Sequence, residues 1–216
     1  MDPNYGMSCS EWEPSSHWSN LLFKIFYYLK FNTALHLLMQ VLNVSQPATL
    51  SLLRNCTWSL SNFCRGKPQP PLHVIQSALP VLGHLINCYN SNTIDQETLI
   101  DAAWALSYIS DGDDAKIQAV VDLKVVPTLV AMLGSKNITT AVPALRALGN
   151  IVSGNDSQTQ AVVDAGVLPA LVPLLSHPKK NIRKETCWML SNIAAGTLTQ
   201  LNQVQIAPDI HLNHIS

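Results

Sequence analysis

Two consecutive stretches decide the fold. Residues Asp113–Gly154 read DDAKIQAVVDLKVVPTLVAMLGSKNITTAVPALRALGNIVSG, and Asn155–Gly196 read NDSQTQAVVDAGVLPALVPLLSHPKKNIRKETCWMLSNIAAG. Both are 42 residues long, and they share in register a Q-A-V-V-D opening, an apolar-Pro step and an N-I-x-x-G ending. A fixed period in this range is the mark of a repeat architecture. The register extends upstream: Gly66, Gly112, Gly154 and Gly196 follow equivalent segments at spacings of 46, 42 and 42. Pro80, Pro127 and Pro169 recur at spacings of 47 and 42. The longer first interval is taken up by the polar run from Asn87 to Thr93, read as a loop insertion.

Each unit reads as three helices. A short helix such as 157–164 ends near a glycine. A second, such as 168–175, carries proline in its first turn, where the missing N–H costs nothing, and is apolar on most faces, so it must be buried. A third, such as 181–194, is longer and amphipathic, and Gly196 is expected to end it in a left-handed conformation. No β-alternation is visible. Three helices per ~42 residues predict an all-α armadillo-repeat right-handed superhelical solenoid with a concave groove. The expected units are 21–66, 67–112, 113–154 and 155–196. Residues 197–216 read as the opening of a fifth unit, cut short, and residues 1–20 match nothing else in the chain and are expected to be disordered or loosely packed.

The third helices align as Trp58-Ser-Leu-Ser-Asn62, Trp104-Ala-Leu-Ser-Tyr108, Arg146-Ala-Leu-Gly-Asn150 and Trp188-Met-Leu-Ser-Asn192. Positions i and i+4 share one helix face, so each helix presents one large side chain and, in three of the four, an amide on the same stripe, with the intervening leucines toward the core. A single tryptophan on a helix is most simply a core residue. Three in register are not, because a core position has no reason to repeat asparagine beside it. Asparagine is also a poor helix-interior residue. The pattern suits an extended basic peptide. Asparagine both donates to and accepts from a peptide backbone, and parallel indole rings leave slots for Lys or Arg stems, with cation–π attraction of ~0.5–2 kcal/mol per contact. Asp101, Asp111, Asp156 and Glu185 are the candidate carboxylates for the charged tips.

These residues resemble the importin-α, or karyopherin-α, family of adaptors for nuclear localisation signals. The closest segments are RNCTWSLSNFCRGKPQPP (54–71), DAAWALSYISDG (101–112), PALRALGNIVSGNDSQTQAVVDAGVLP (143–169) and KETCWMLSNIAAG (184–196), and the likeness covers roughly residues 25–205. Its most specific part is the interruption of the ladder: the family has tyrosine for asparagine and then arginine for tryptophan in consecutive middle repeats, as do Tyr108 and Arg146. The resemblance implies a major peptide groove with Asn55, Trp58, Asn62, Asp101 and Trp104, Tyr108 marking the interruption. It implies a minor groove with Arg146, Asn150, Gly154, Thr159, Glu185, Trp188 and Asn192. The implied partners are Lys/Arg-rich cargo peptides, and the implied location is cytoplasm and nucleus. The family's earlier Trp/Asn pairs and its importin-β-binding, Arg/Lys-rich arm have no counterpart in this sequence. Weakened cargo binding and no direct importin-β binding are therefore expected. An armadillo interaction scaffold that does not bind such signals is the alternative.

Bulk properties fit a binding module. Charged residues make up 12% of the 216 residues and the net charge is −1, about half the usual ~25% charged fraction. That leaves no basic field for nucleic acid. The five cysteines at 9, 56, 64, 88 and 187 form no CxxC and are odd in number, which reads as a reduced, intracellular chain. The apolar stretch 21–44 is interrupted by Lys24, Lys30 and His36, and no membrane span is expected from it. No catalytic, metal or cofactor constellation stands out: His211 and His214 are the one close histidine pair, with no carboxylate or thiol cluster beside them. No enzyme activity is expected. Lys179, Lys180, Arg183 and Lys184 form a small basic cluster, read as a solvated turn and helix start or as a contact for an acidic partner.

Overall fold

The computed structural model describes residues 33, 50–91 and 93–206. The segment 1–20, the apolar stretch 21–44 apart from Thr33, and the tail from 207, including His211 and His214, lie outside the described residues. The helices are α1 (Leu50–Arg65), α2 (Leu72–Ile75), α3 (Leu79–Asn87), α4 (Gln96–Ser110), α5 (Asp114–Asp122), α6 (Val126–Leu133), α7 (Ile138–Ile151), α8 (Asp156–Asp164), α9 (Val167–Leu175), α10 (Lys180–Ala194) and α11 (Leu198–Ile206). Among the described residues there is no strand. A 3-10 turn, Gln76–Ala78, joins α2 to α3. The polar run expected to be a loop instead starts as the end of α3 and winds on as a second 3-10 turn, Cys88–Ser91, whose Ser91 hydroxyl donates to the Cys88 carbonyl at 2.8 Å.

Helices of one kind stack on each other. The long helices α1, α4, α7 and α10 pack side by side in chain order, as do α3, α6 and α9, and α5 on α8. The core lies between these layers and is continuous along the described chain. Leu60, Leu106 and Leu148, the central leucines of the aligned long helices, are fully buried, while in α10 that place is shared by buried Met189 and half-buried Leu190. Proline opens α3 and α6 within their first two positions. Among the described residues no single helix is long and apolar enough to cross a membrane.

Gly196 does not end α10 in a left-handed conformation. Ala195 caps it with φ −80° and ψ −7°, and among the described glycines only Gly166 has positive φ, at 79°. What Gly196 supplies is space. A Cβ there would collide with Gln200 Oε1, and at Gly154 it would collide with Gln158 Oε1. Those two glutamines do equivalent work 42 residues apart. Gln158 accepts from the backbone N–H of Asn155 at 3.0 Å and donates to the carbonyl of Asp114, in the preceding unit, at 3.0 Å. Gln200 accepts from Thr197 N–H at 2.9 Å and donates to the Asp156 carbonyl at 2.9 Å. In the unit before, Lys116 fills the space beside Gly112, and its Nζ donates to Gln69 Oε1 at 3.2 Å. Gln69 in turn donates to the carbonyls of Tyr108 and Asp111.

Candidate functional site

The stacked long helices bring the ladder residues onto one face. Trp58 is 59% exposed and Trp188 40%, far more than indole rings usually are in a folded chain. Trp104 is half-buried and stacks on Tyr108, with centroids 5.8 Å apart and planes inclined by 22°. At the next position along the stack Arg146 is exposed, its guanidinium 3.5 Å from Glu185 of α10. Trp188 lies against α7: a Cβ at Gly149 would come within 2.9 Å of its Cζ3. The absence of a side chain at 149 is what allows the ring to lie this close.

The three aligned asparagines are not alike. Asn62 is exposed and donates to the Trp58 carbonyl one turn back, at 3.0 Å. Asn150 is buried and donates across to α4, to the Ser107 carbonyl at 2.9 Å and the Ser110 hydroxyl at 3.4 Å. The Nδ2 of Asn192 is buried with no hydrogen-bond partner, an arrangement that costs ~1–3 kcal/mol. Thr159 is buried, its hydroxyl 3.3 Å from the Val152 carbonyl, and Gly154 faces Gln158. Asn55 is exposed on α1, one turn before Trp58.

The electrostatics change sign along the face. At the start of α4, around Arg54 of α1, the carboxylates gather. Asp95 caps α4, accepting from the N–H groups of Glu97 and Thr98 at 3.1 and 3.2 Å, and Arg54 of α1 reaches both Asp95 at 3.0 Å and Glu97 at 2.9 Å. Burial pushes the Asp95 carboxyl up, but hydrogen bonds from Thr98 and the Arg54 guanidinium outweigh it and hold it below the ordinary carboxylate value. Asp101, half-buried, goes the other way: burial and then the fields of Glu97 and Asp95 push its carboxyl up, and Arg54 only partly offsets them. Farther along, Arg146 and the first turn of α10 make the face basic. There a cleft of about 630 Å³ opens among Trp104, Arg146, Lys179, Lys180, Lys184 and Glu185.

Several of these features escaped the sequence reading. Arg54 gave no signal, since its partners lie 41 and 43 residues away and only the stacking of α1 on α4 joins them. Gly149 is visible in the alignment, as the residue standing where Ser61, Ser107 and Ser191 stand in the other helices, but its contact with Trp188 is not. Burial pushes the thiols of Cys56 and Cys64 up, the latter to about 12 with Lys116 opposing, so Cys64 is a core residue rather than a reactive one.

Residues 113–153 and 155–195 match the Armadillo/beta-catenin-like repeat. Among solved structures the chain is similar to a designed armadillo repeat protein in complex with the peptide (KR)4, with TM-score 0.66 and 26% identity over 78% of this chain and 67% of that one. It is also similar to an engineered protein with TM-score 0.68 and 31% identity, over 79% and 68%. Packing and repeat together define an armadillo-repeat protein. Importin subunit alpha-4 of Arabidopsis thaliana is 52% identical over 174 residues, 78% of this chain and 31% of that protein. Importin subunit alpha-1a of Oryza sativa subsp. japonica is 51% identical over 169 residues, with the same coverages. Over that span the chain is similar to importin-α subunits, and it spans about a third of the length of the curated relatives it matches.

Proposed function

We propose that this chain binds Lys/Arg-rich peptides along the ladder face, as an adaptor of the nuclear-import type working between cytoplasm and nucleus. The observation that carries this reading is the pairing of exposed indole with unsatisfied negative charge. Trp58 is largely exposed, Trp104 stands one helix away, and the carboxyl of Asp101, one turn before Trp104 on α4, is raised by burial and neighbouring carboxylates. A lysine whose stem lies between the rings and whose ammonium approaches Asp101 relieves that carboxylate and gains the cation–π term. Asn62, exposed beside Trp58, and Asn192, one turn after Trp188, are the amides we assign to the peptide backbone. Asn150, Gly154 and Thr159 take the role of holding the helices in register, on the strength of their internal contacts. The (KR)4 peptide in the related designed armadillo protein and the importin-α relatives support the same class of ligand. With one slot between Trp58 and Trp104, and Trp188 set apart from them by Arg146, we expect affinity in the micromolar range, where a Kd of ~1 μM corresponds to about −8 kcal/mol. Direct importin-β binding is not expected, and a stoichiometric pull-down would overturn that part.

The test is Trp104→Ala. Fluorescence anisotropy with a labelled Lys-rich peptide should show affinity falling by ~1–2 kcal/mol, about 5- to 30-fold, with the circular dichroism of the helices little changed. A wholly core ring would instead cost ~3–5 kcal/mol of stability. Unchanged affinity with a collapsed melting temperature refutes the reading at this position.

A further inference from the structure

We infer that Cys88 and His84 form a covalent modification site, at which a small uncharged disulfide transfers its thiol half to the Cys88 sulfur and lodges it in the adjoining cavity. Cys88 Sγ lies 3.8 Å from Nε2 of His84, in the last turn of α3, and the backbone N–H of Cys88 donates to the His84 carbonyl, so the two residues are tied to each other twice. The thiol lines a cavity of about 250 Å³ whose other walls are Tyr89, Ile94, Gln96 and Leu99, with no charged side chain among them. Gln96 is held in turn, its Nε2 donating to Thr140 Oγ1 at 2.9 Å. The cavity is smaller than the ~300–1,000 Å³ of pockets that hold a free small molecule, so it suits a group of a few heavy atoms held by a bond rather than by contacts alone.

Neither residue serves the repeat. Counted from the recurring Pro80, Pro127 and Pro169, the places of His84 and Cys88 are taken by Ala131 and Ser135 in the next unit and by Pro173 and His177 in the one after. The described cysteines are free and differ in setting: Cys56 and Cys64 are buried, Cys187 is exposed, and Cys88 is half-buried, with an imidazole within reach and open space beside it. With the His84 ring protonated on Nδ1, Nε2 takes the Cys88 proton as Sγ attacks one sulfur of the disulfide. The disulfide bond breaks, its electron pair leaves on the second sulfur, and that thiolate takes up the proton from His84. The products are a mixed disulfide at Cys88 and one free thiol. Cys88 is oxidised and the leaving half is reduced, so the disulfide itself is the oxidant.

The test treats the full chain at neutral pH with limiting hydroxyethyl disulfide, stops the reaction with acid and measures the modified fraction of each cysteine by peptide mass spectrometry. Exposure alone ranks Cys187 ahead of Cys88. The dyad reverses that order, and Cys88 should react ~10-fold faster than Cys187. His84→Gln, at an exposed position, should slow Cys88 by ~10-fold while the rate at Cys187 and the melting temperature stay unchanged. Ile94→Trp, which fills the cavity, should slow Cys88 toward hydroxyethyl disulfide but not toward methyl methanethiosulfonate, whose methylthio group needs little room. Cys187 reacting as fast as Cys88 or faster, or a Cys88 rate unchanged by His84→Gln, overturns the site. An Ile94→Trp effect that is absent, or equal for the two reagents, overturns the cavity's part in it.

Discussion

Asp101 and Asp95 lie six positions apart and are driven in opposite directions by what surrounds them. Asp95 is capped, hydrogen-bonded and paired with Arg54, so its carboxyl is held below the ordinary value of 3.8. It contributes stability at pH above that value, lost as pH falls through its depressed pKa. The Asp101 carboxyl is raised above 3.8, so the folded chain takes up this proton more readily than the unfolded one. Its ionised form therefore opposes folding at neutral pH, and that opposition is relieved as pH falls through the raised value. On the peptide-binding reading proposed above, a cationic ligand offsets that cost. Affinity for a Lys-rich peptide should be greatest above the raised pKa of Asp101 and decline as pH falls through it. Asp101→Asn should lower affinity at pH 7 by ~3- to 10-fold, flatten this pH profile, and leave the melting temperature no lower. A pH profile unchanged by the substitution, in calorimetric titration, counts against the role. Trp188 and Gly149 make a similar point in steric terms: the ring's position on α7 depends on an atom that residue 149 lacks.

Helices in this chain end by devices that differ between repeats, and the differences carry information. After α8, Gly166 turns with φ 79°, a left-handed conformation that glycine adopts at little cost. The equivalent residue 42 positions earlier, after α5, is Lys124, which holds φ 57°. A side chain there costs ~1–2 kcal/mol, partly offset by the ~0.5–1 kcal/mol that glycine loses in backbone entropy. Lys124→Gly should stabilise the chain by ~0.5–1 kcal/mol and raise the melting temperature by a few degrees, read by differential scanning calorimetry. A lowered melting temperature counts against the strain at 124. At this level the sequence was legible where one residue type has one use. The prolines opening α3 and α6 and the leucine rows reveal helix type and inner face because nothing else explains them. Glycine has two uses, conformation and space, and alignment alone does not separate them: Gly166 provides the first, while Gly154 and Gly196 provide the second. The asparagines likewise share a column of the alignment without sharing an environment. Asn62 and Asn150 occupy one column of the alignment, yet Asn150 is drawn inward by the Ser107 carbonyl and Ser110 hydroxyl of the helix beside it, a pairing set by stacking rather than by the local sequence.

Over the whole molecule the long helices form a single surface whose charge reverses along its length, from the carboxylates at the start of α4 to the cations around Arg146 and Lys179. The 42-residue register made the architecture readable, because each unit buries its apolar faces on the next and only stacking completes the core. The charge reversal was half-readable: the basic cluster at 179–184 is plain in the sequence, but its meeting with Trp104 and Arg146 needs the stack. The glutamines that reach back one unit have a further consequence, for recombination. Gln158 and Gln200 each fill a space left by a glycine that ends the previous unit and bind a carbonyl at that unit's first helix, so compatibility is written half in each of two neighbours. A unit grafted from another armadillo chain will seat on this one only if glycine closes the host unit and glutamine, or a side chain as slender as Lys116, opens the guest. Gly154→Val should push the Gln158 amide off the Asp114 carbonyl and lower the melting temperature, read by differential scanning calorimetry, while Gln158→Ala beside it should relieve the overlap without restoring the hydrogen bond. Modularity in this chain is thus a property of junctions, and the interchangeable part is the seam between two repeats.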